Sequence, residues 1–210
     1  MKNLEGRFKT SLPRRVYTII RLDGRAFHSF TKGCEKPFDR GLMDAMQGTT
    51  LALCKEVGGC KIGYTQSDEI TLILTDFEEL GTQAWFDGQV QKIVSVSAAI
   101  ATSNFNKLWL KAKIDEYNLQ YASDVSFRYD DLIEFINKIK LAQFDSRVYT
   151  TSDPWEAFNA CHWRQADASK NSIQMIARSL FSHKELQNKG FSALNELLFT
   201  KGKKFQRLSN

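Results

Sequence analysis

The stretch CKIGYTQSDEITLILT, residues 60–75, limits the fold more than any other part of the chain. Its second half alternates, with Ile70, Leu72 and Leu74 on one side and Thr71, Ile73 and Thr75 on the other. That period of two belongs to a strand. Its first half, residues 60–66, reads as a second strand, and Gln66-Ser67-Asp68 supplies a tight polar connection. The two therefore form an antiparallel hairpin.

The neighbouring segments build outward from this hairpin. VYTIIRLD, residues 16–23, is rich in β-branched and aromatic side chains and ends at Asp-Gly, as a strand followed by a turn would. A loop with the breakers Gly33 and Pro37 follows. Apolar positions from Asp39 to Val57 keep helical spacing, with Asp39 as N-cap and Gly58-Gly59 as the stop. The spacing predicts another helix from Asp87 to about Leu108, whose small residues Ser97, Ala98 and Ala101 suit close packing on a sheet. FDSRVYTT, residues 144–151, reads as the fourth strand. The order β-α-β-β-α-β predicts an α+β, ferredoxin-like domain over residues 1–152, with an insertion at about 109–143 that holds the short helix DDLIEFINKIK. Residues 153–210 read as a helical extension. It has an Asp153-Pro154 start, an apolar series through Trp155, Phe158, Cys161, Ile173, Ile176 and Leu180, and a capping box at Ser182–Glu185 opening a helix that Gly190 ends.

Composition narrows the classes. With 210 residues, 42% of them hydrophobic, the chain can bury one sizeable core, and 3 Pro and 12 Gly do not suit a fibrous or disordered protein. No apolar run approaches a membrane span, and the charged start MKNLEGRFKTSLPRR resembles no signal segment, so a cytoplasmic protein is expected. The four cysteines form no C-x-x-C pair and no zinc spacing, which predicts reduced thiols. The formal charge of +5 permits a nucleic-acid partner, and the basic residues Lys184, Lys189, Lys201, Lys203, Lys204 and Arg207 concentrate near the end of the chain.

In the expected topology the first and third strands are antiparallel neighbours. The end of one, Asp23, then lies beside the start of the other, Asp68-Glu69. Carboxylates held that close repel one another unless a cation intervenes, and hard oxygen ligands select magnesium or manganese. Gly24 permits close backbone approach, and the loop after it offers amides and the donors Arg25, His28 and Lys36, which suit a triphosphate. Each motif also has an ordinary reading: Asp-Gly as a turn, Ser-Asp-Glu as a polar connection.

Taken together, RLDGRAFHSF, KPFD, GYTQSDEI, FDSRV and WRQADASKNS resemble the tRNA-His guanylyltransferase family in order and spacing, over about residues 16–190. The resemblance implies a polymerase-palm fold that adds nucleotides to the 5′ end of a tRNA in the 3′-5′ direction. Two magnesium ions are implied (manganese can substitute), with ATP or GTP as substrates and a homotetramer as the assembly. By motif, Asp23, Asp68 and Glu69 correspond to the catalytic acids, with Asp23, Asp68 and the Gly24 carbonyl as metal ligands. Gly24, Arg25, Ala26, Phe27 and His28 correspond to the triphosphate loop, and Lys36, Asp39, Ser67 and Arg147 to nucleotide-binding positions. Arg164, Asn171, His183, Lys184 and Lys189 are placed toward tRNA. Ser169 stands where the eukaryotic pattern has histidine. That departure implies the bacterial and archaeal guanylyltransferase-like branch, which repairs 5′-truncated tRNA against a template, rather than a dedicated enzyme for G addition to tRNA-His. Two alternatives stay open: a palm-fold nucleotidyl or dinucleotide cyclase, although no G-G-[DE]-E-F run is present, and a non-catalytic RNA-binding module. For WRQAD the plain alternative is an amphipathic helix with Trp163 in the core and Arg164 paired to an acid.

Overall fold

Four strands form one antiparallel sheet in the order β2-β3-β1-β4 in the computed structural model, which describes residues 2–121 and 129–202. The elements follow in chain order: α1 (Lys2–Gly6), β1 (Tyr17–Gly24), α2 (Phe27–Phe30), α3 (Arg40–Glu56), β2 (Cys60–Gln66), β3 (Glu69–Leu74), α4 (Val90–Gln120), α5 (Tyr129–Lys138), β4 (Phe144–Thr151), α6 (Pro154–Leu180), α7 (His183–Leu186) and α8 (Phe191–Thr200). The expected split βαβ arrangement is present, and β1 and β3 are its central, antiparallel neighbours.

The two sheet faces differ because β-strand side chains alternate. Ile20, Leu22, Ile70, Leu72, Leu74 and Phe144 pack with Met46 and Leu53 of α3 and Ile93, Ala101 and Phe105 of α4 to make the main core. Small side chains bring α4 close to the sheet: Ser97 is fully buried, and its hydroxyl lies 2.7 Å from that of Ser146. The opposite face carries Arg21 and Asp23 on β1 and is crossed by α6, which touches β1, β2 and β4.

Helix α4 runs on to Gln120, well past the expected end near Leu108. Phe105 and Trp109 continue its buried face beyond Ala101, and no Gly or Pro interrupts the sequence there. Its start also shifts from Asp87 to Val90, because Trp85–Gly88 forms a separate 3-10 turn in which Phe86 and Asp87 have φ near +50°. Helix α6 is rotated relative to expectation. Trp155, Phe158 and Trp163 are 74%, 59% and 61% exposed, while Ala157 and Arg164, seven residues apart and so on one face, turn inward. Trp163 is thus not a core residue. Gly190 does not end α7; it is the N-cap of α8, which packs Leu194 and Leu198 on Ile173, Ile176 and Ala177 of α6 as a second, smaller core. Lys203, Lys204 and Arg207 lie outside the described residues.

Candidate active site

The hairpin turn between β2 and β3 is two residues long, Ser67-Asp68, with Ser67 at φ +49°. Register places Asp23 of β1 opposite Glu69 of β3, and the Gly24 amide donates to the Asp68 carbonyl at 3.1 Å. The three acids that sequence reasoning paired therefore meet at one corner of the sheet. The environments of the two aspartates work against their charge. Partial burial raises the pKa of Asp23 above its ordinary value, and the neighbouring Glu69 and Asp145 add to the rise against relief from Arg21 and Arg147. Burial likewise raises Asp68; the Ser67 hydroxyl, donating at 3.0 Å, offsets part of this, and repulsion from Asp23 and Glu69 adds to it.

Glu69 is placed differently. It accepts from Arg21 Nη2 at 2.5 Å and from Arg164 Nη1 at 3.2 and 3.0 Å, on its two oxygens. Arg21 also reaches Asp23 at 3.5 Å. Among the described residues no three His, Cys, Asp or Glu side chains converge as a ready-made metal cage. The donor set at the corner, two aspartates and a backbone carbonyl, suits magnesium, which is held by one or two carboxylates together with substrate phosphates and water. The mutual repulsion of Asp23 and Asp68 is what a divalent cation would relieve.

The loop after Asp23 is built by packing as much as by chemistry. Phe27 is buried among Phe30, Phe105 and Phe144, so only its backbone can face a ligand. Its ring sits over Gly24, where an added Cβ would come within 2.2 Å of it. Ala26 takes the left-handed conformation at φ +54°. The amides of Gly24 and Arg25 are already engaged, by Asp68 and by the Gln143 carbonyl at 2.8 Å, which leaves those of Ala26, Phe27 and His28 to meet an incoming oxygen. Arg25, with Asp145 and Gln143, lines a cleft of about 580 Å³ beside the corner.

The remaining expected positions are scattered. Asp39 is buried as the N-cap of α3, accepting from the amides of Leu42 and Glu35, with Lys113 of α4 at 3.9 Å. Lys36 and His28 are exposed. Arg147 is exposed on β4, opposite Arg21 in register. Asn171 bonds Asp167 one turn earlier in α6, and Ser169 bonds the Gln165 carbonyl. His183 and Lys189 line a different cleft of about 570 Å³ with Arg178, Gln174 and Gln187; Lys184 is not among its lining residues. Arg164, placed toward tRNA by resemblance, bonds Glu69, the pairing to an acid that the amphipathic-helix alternative expects. Sequence reasoning missed Arg21 and Asp145. Both stand two residues from a recognised position in an alternating strand, and that spacing alone assigns them to the same face as Asp23 and Arg147.

Fold and site define a class: a palm-type α+β protein with an acidic sheet corner ringed by arginines. A family model described as tRNAHis guanylyltransferase matches residues 1–152, and the chain belongs to that family. Among solved structures, a bacterial tRNA(His) guanylyltransferase (Thg1)-like protein in complex with ATP is 38% identical with a TM-score of 0.81, covering 97% of this chain and 79% of that one. One in complex with GTP is 39% identical with a TM-score of 0.72, covering 87% and 76%. A tRNA(His) guanylyltransferase from Saccharomyces cerevisiae, at 20% identity and a TM-score of 0.65 over 100% of this chain and 88% of that one, shares the fold. Curated relatives include an uncharacterized protein of Acanthamoeba polyphaga mimivirus, 30% identical over 86% of this chain and 62% of its own length. They also include a probable tRNA(His) guanylyltransferase of Dictyostelium discoideum, 29% identical over 77% and 54%. The chain spans little more than half the length of these relatives. No helix among the described residues is long and apolar enough to cross a membrane.

Proposed function

We propose that this chain is a metal-dependent 3′-5′ nucleotidyltransferase that rebuilds the 5′ end of truncated tRNA against the opposing strand, in the cytoplasm. The observation that carries the reading is the pairing of Asp23 and Asp68 at the sheet corner, each disfavoured as a carboxylate by burial and by its acidic neighbours. Asp23, Asp68 and the Gly24 carbonyl would hold magnesium, with manganese as a substitute. Two such ions, when bound, supply charge neutralisation at the phosphates and acidity to an attacking hydroxyl.

The chain's own groups position the reactants, which is most of what phosphoryl transfer requires. The free amides of Ala26, Phe27 and His28, with Arg25 and His28 side chains, hold the triphosphate of ATP or GTP at the loop. Lys36 and exposed Arg147 add positive charge for the polyphosphate, and Ser67 orients Asp68. Activation joins the 5′-monophosphate of the RNA to the α-phosphate of ATP or GTP and releases pyrophosphate; the 3′-hydroxyl of the incoming nucleotide then gives up its proton and attacks the RNA 5′-phosphate, and the activating nucleoside monophosphate leaves. His183 and Lys189, beside Arg178, together with Lys184 and Asn171, meet RNA phosphates. The exposed rings of Trp155 and Phe158 support assembly of copies, expected as a homotetramer and measurable by light scattering.

The test is extension of labelled 5′-truncated tRNAs whose opposing bases are varied, with magnesium and all four triphosphates. Product that follows the opposing base is expected. G added regardless of template would instead assign G addition to tRNA-His, and no extension beside an active family control would overturn the reading. Asp23→Ala and Asp68→Ala should each lower extension by at least about 100-fold, the scale of losing one electrostatic group at a transition state, while tRNA binding by gel shift persists.

A further inference from the structure

We propose that Arg21 and Arg164 are positioning residues that act through Glu69, forming a bridge that fixes helix α6 over the open face of the sheet and keeps Glu69 apart from the cation site. The inference rests on the proposed function and adds to it a role for two arginines and a different one for the third acid.

Glu69 sits between guanidiniums from two elements, Arg21 on β1 and Arg164 on α6. Arg164 Nη1 reaches both carboxylate oxygens, Arg21 Nη2 adds a second donor to Oε1 and the Gln66 side-chain amide a second to Oε2 at 3.4 Å, which together occupy the acceptor directions that a metal would use. All three side chains are largely withdrawn from water, at 22%, 17% and 15% exposed for Arg21, Glu69 and Arg164. In such a place the loss of one partner leaves a charge without compensation, so the bridge is far stiffer than a surface pair. The rest of Arg164 is held as well, with Cζ 4.4 Å from the centre of the Trp163 ring. Arg21 links the bridge to Asp23 at 3.5 Å, and its Nε is buried with no hydrogen-bond partner among the described residues. That geometry holds Arg21 by its Nη2 alone and makes its position depend on Glu69.

The bridge joins the catalytic sheet to the helical extension. Tyr149 of β4 and Trp163, Glu156 and His162 of α6 line the cleft of about 710 Å³ between the two, so the seat of Arg164 sets how α6 lies over the strand that carries Asp145 and Arg147. A substrate in that space would feel a change at Glu69 even without touching it.

The experiment is a double-mutant cycle on Glu69→Gln and Arg164→Gln in the full chain. It is read as extension kcat and KM and, separately, as Mn2+ affinity by titration of the free protein. Each single variant should lose about tenfold or more in kcat/KM, and the double variant should be no more than about twofold worse than the poorer single, because one bridge is lost in all three. Mn2+ affinity should stay within about threefold in both singles, whereas Asp68→Asn should lose it. Arg164→Lys, which keeps the charge but not the planar guanidinium stacked on Trp163, should recover part of the loss, and it covers the case in which a Gln variant fails to fold. Multiplying losses in the cycle would overturn the proposal by making Arg164 and Glu69 independent. So would a fall in Mn2+ affinity for Glu69→Gln equal to that of Asp68→Asn, which would make Glu69 a ligand. Wild-type Mn2+ binding left intact by Asp23→Ala and Asp68→Ala would instead sink the metal assignment of the proposed function, without bearing on the bridge.

Discussion

Asp68 carries its charge against the preference of its surroundings, since burial and two neighbouring acids raise its pKa. An unfolded aspartate ionises near pH 3.9, before the folded one does. The penalty is therefore absent in acid, sets in as pH rises through the unfolded value, and is complete above the folded value. Asp68→Asn removes it. At pH 7 and without divalent metal, the variant should melt about 2 °C higher than wild type, equivalent to roughly 0.5–1 kcal/mol once solvent screening at the corner is allowed for. The gain should vanish below about pH 4, where both forms are uncharged. Magnesium should then raise the wild-type midpoint but not the variant's, because a ligand stabilises only the state that binds it. Calorimetry across pH and magnesium checks all three; a magnesium-induced rise as large in the variant as in wild type would remove Asp68 from the cation site. The antiparallel order of β1 and β3 placed Asp23 beside Asp68, and strand alternation also encodes Arg21 and Asp145, but a charged residue two positions from a recognised motif carries no chemical signature until its cross-strand partner is known.

At the scale of elements, the signals that read correctly are local ones. Asp39 and Asp153 cap α3 and α6 with their own carboxylates, and Pro154 opens α6. Each acts within one turn of chain, so sequence suffices. Helix α6 shows the limit. Its apolar residues surround it, and the choice of buried face is made by Glu69, which draws Arg164 inward and turns Trp163 out. That partner is 95 residues away, beyond any periodicity argument. Asp39 can be resolved in the same terms. Asp39 works as a cap, so Asp39→Ala should lower stability by about 1–2 kcal/mol, the usual cost of a lost cap, while the Lys113 ammonium keeps Glu116 at 2.7 Å. Lys36→Ala, at an exposed position, should leave the melting temperature unchanged and raise the KM for nucleoside triphosphate. Thermal melts paired with nucleotide kinetics separate the two residues of one motif; an Asp39→Ala protein of wild-type stability with raised KM would restore it to the nucleotide pocket.

The described residues form two hydrophobic centres of unequal size. The larger joins the sheet to α3 and α4; the smaller, Ile173, Ile176, Ala177, Leu194 and Leu198, holds α8 on the distal half of α6. Between them α6 is continuous, with Arg164 tied to the sheet and Ile173 buried in the small core. Regions with few buried apolar groups open at lower free energy than a main core, so the extension should open before the sheet. Leu198 is fully buried, and Leu198→Ala should cost the small core about 2–4 kcal/mol. Hydrogen exchange should then show protection lost over the distal part of α6 and over α8, while β1 and β3 keep theirs. Because His183 and Lys189 line a cleft shared with Ala177 and Leu194, the same variant should weaken tRNA binding while leaving Mn2+ affinity at Asp23 and Asp68 unchanged. Loss of protection in β1 and β3 to the same degree as in α8 would mean that the two centres unfold as one, and that the extension serves the stability of the sheet rather than a separate grip on RNA.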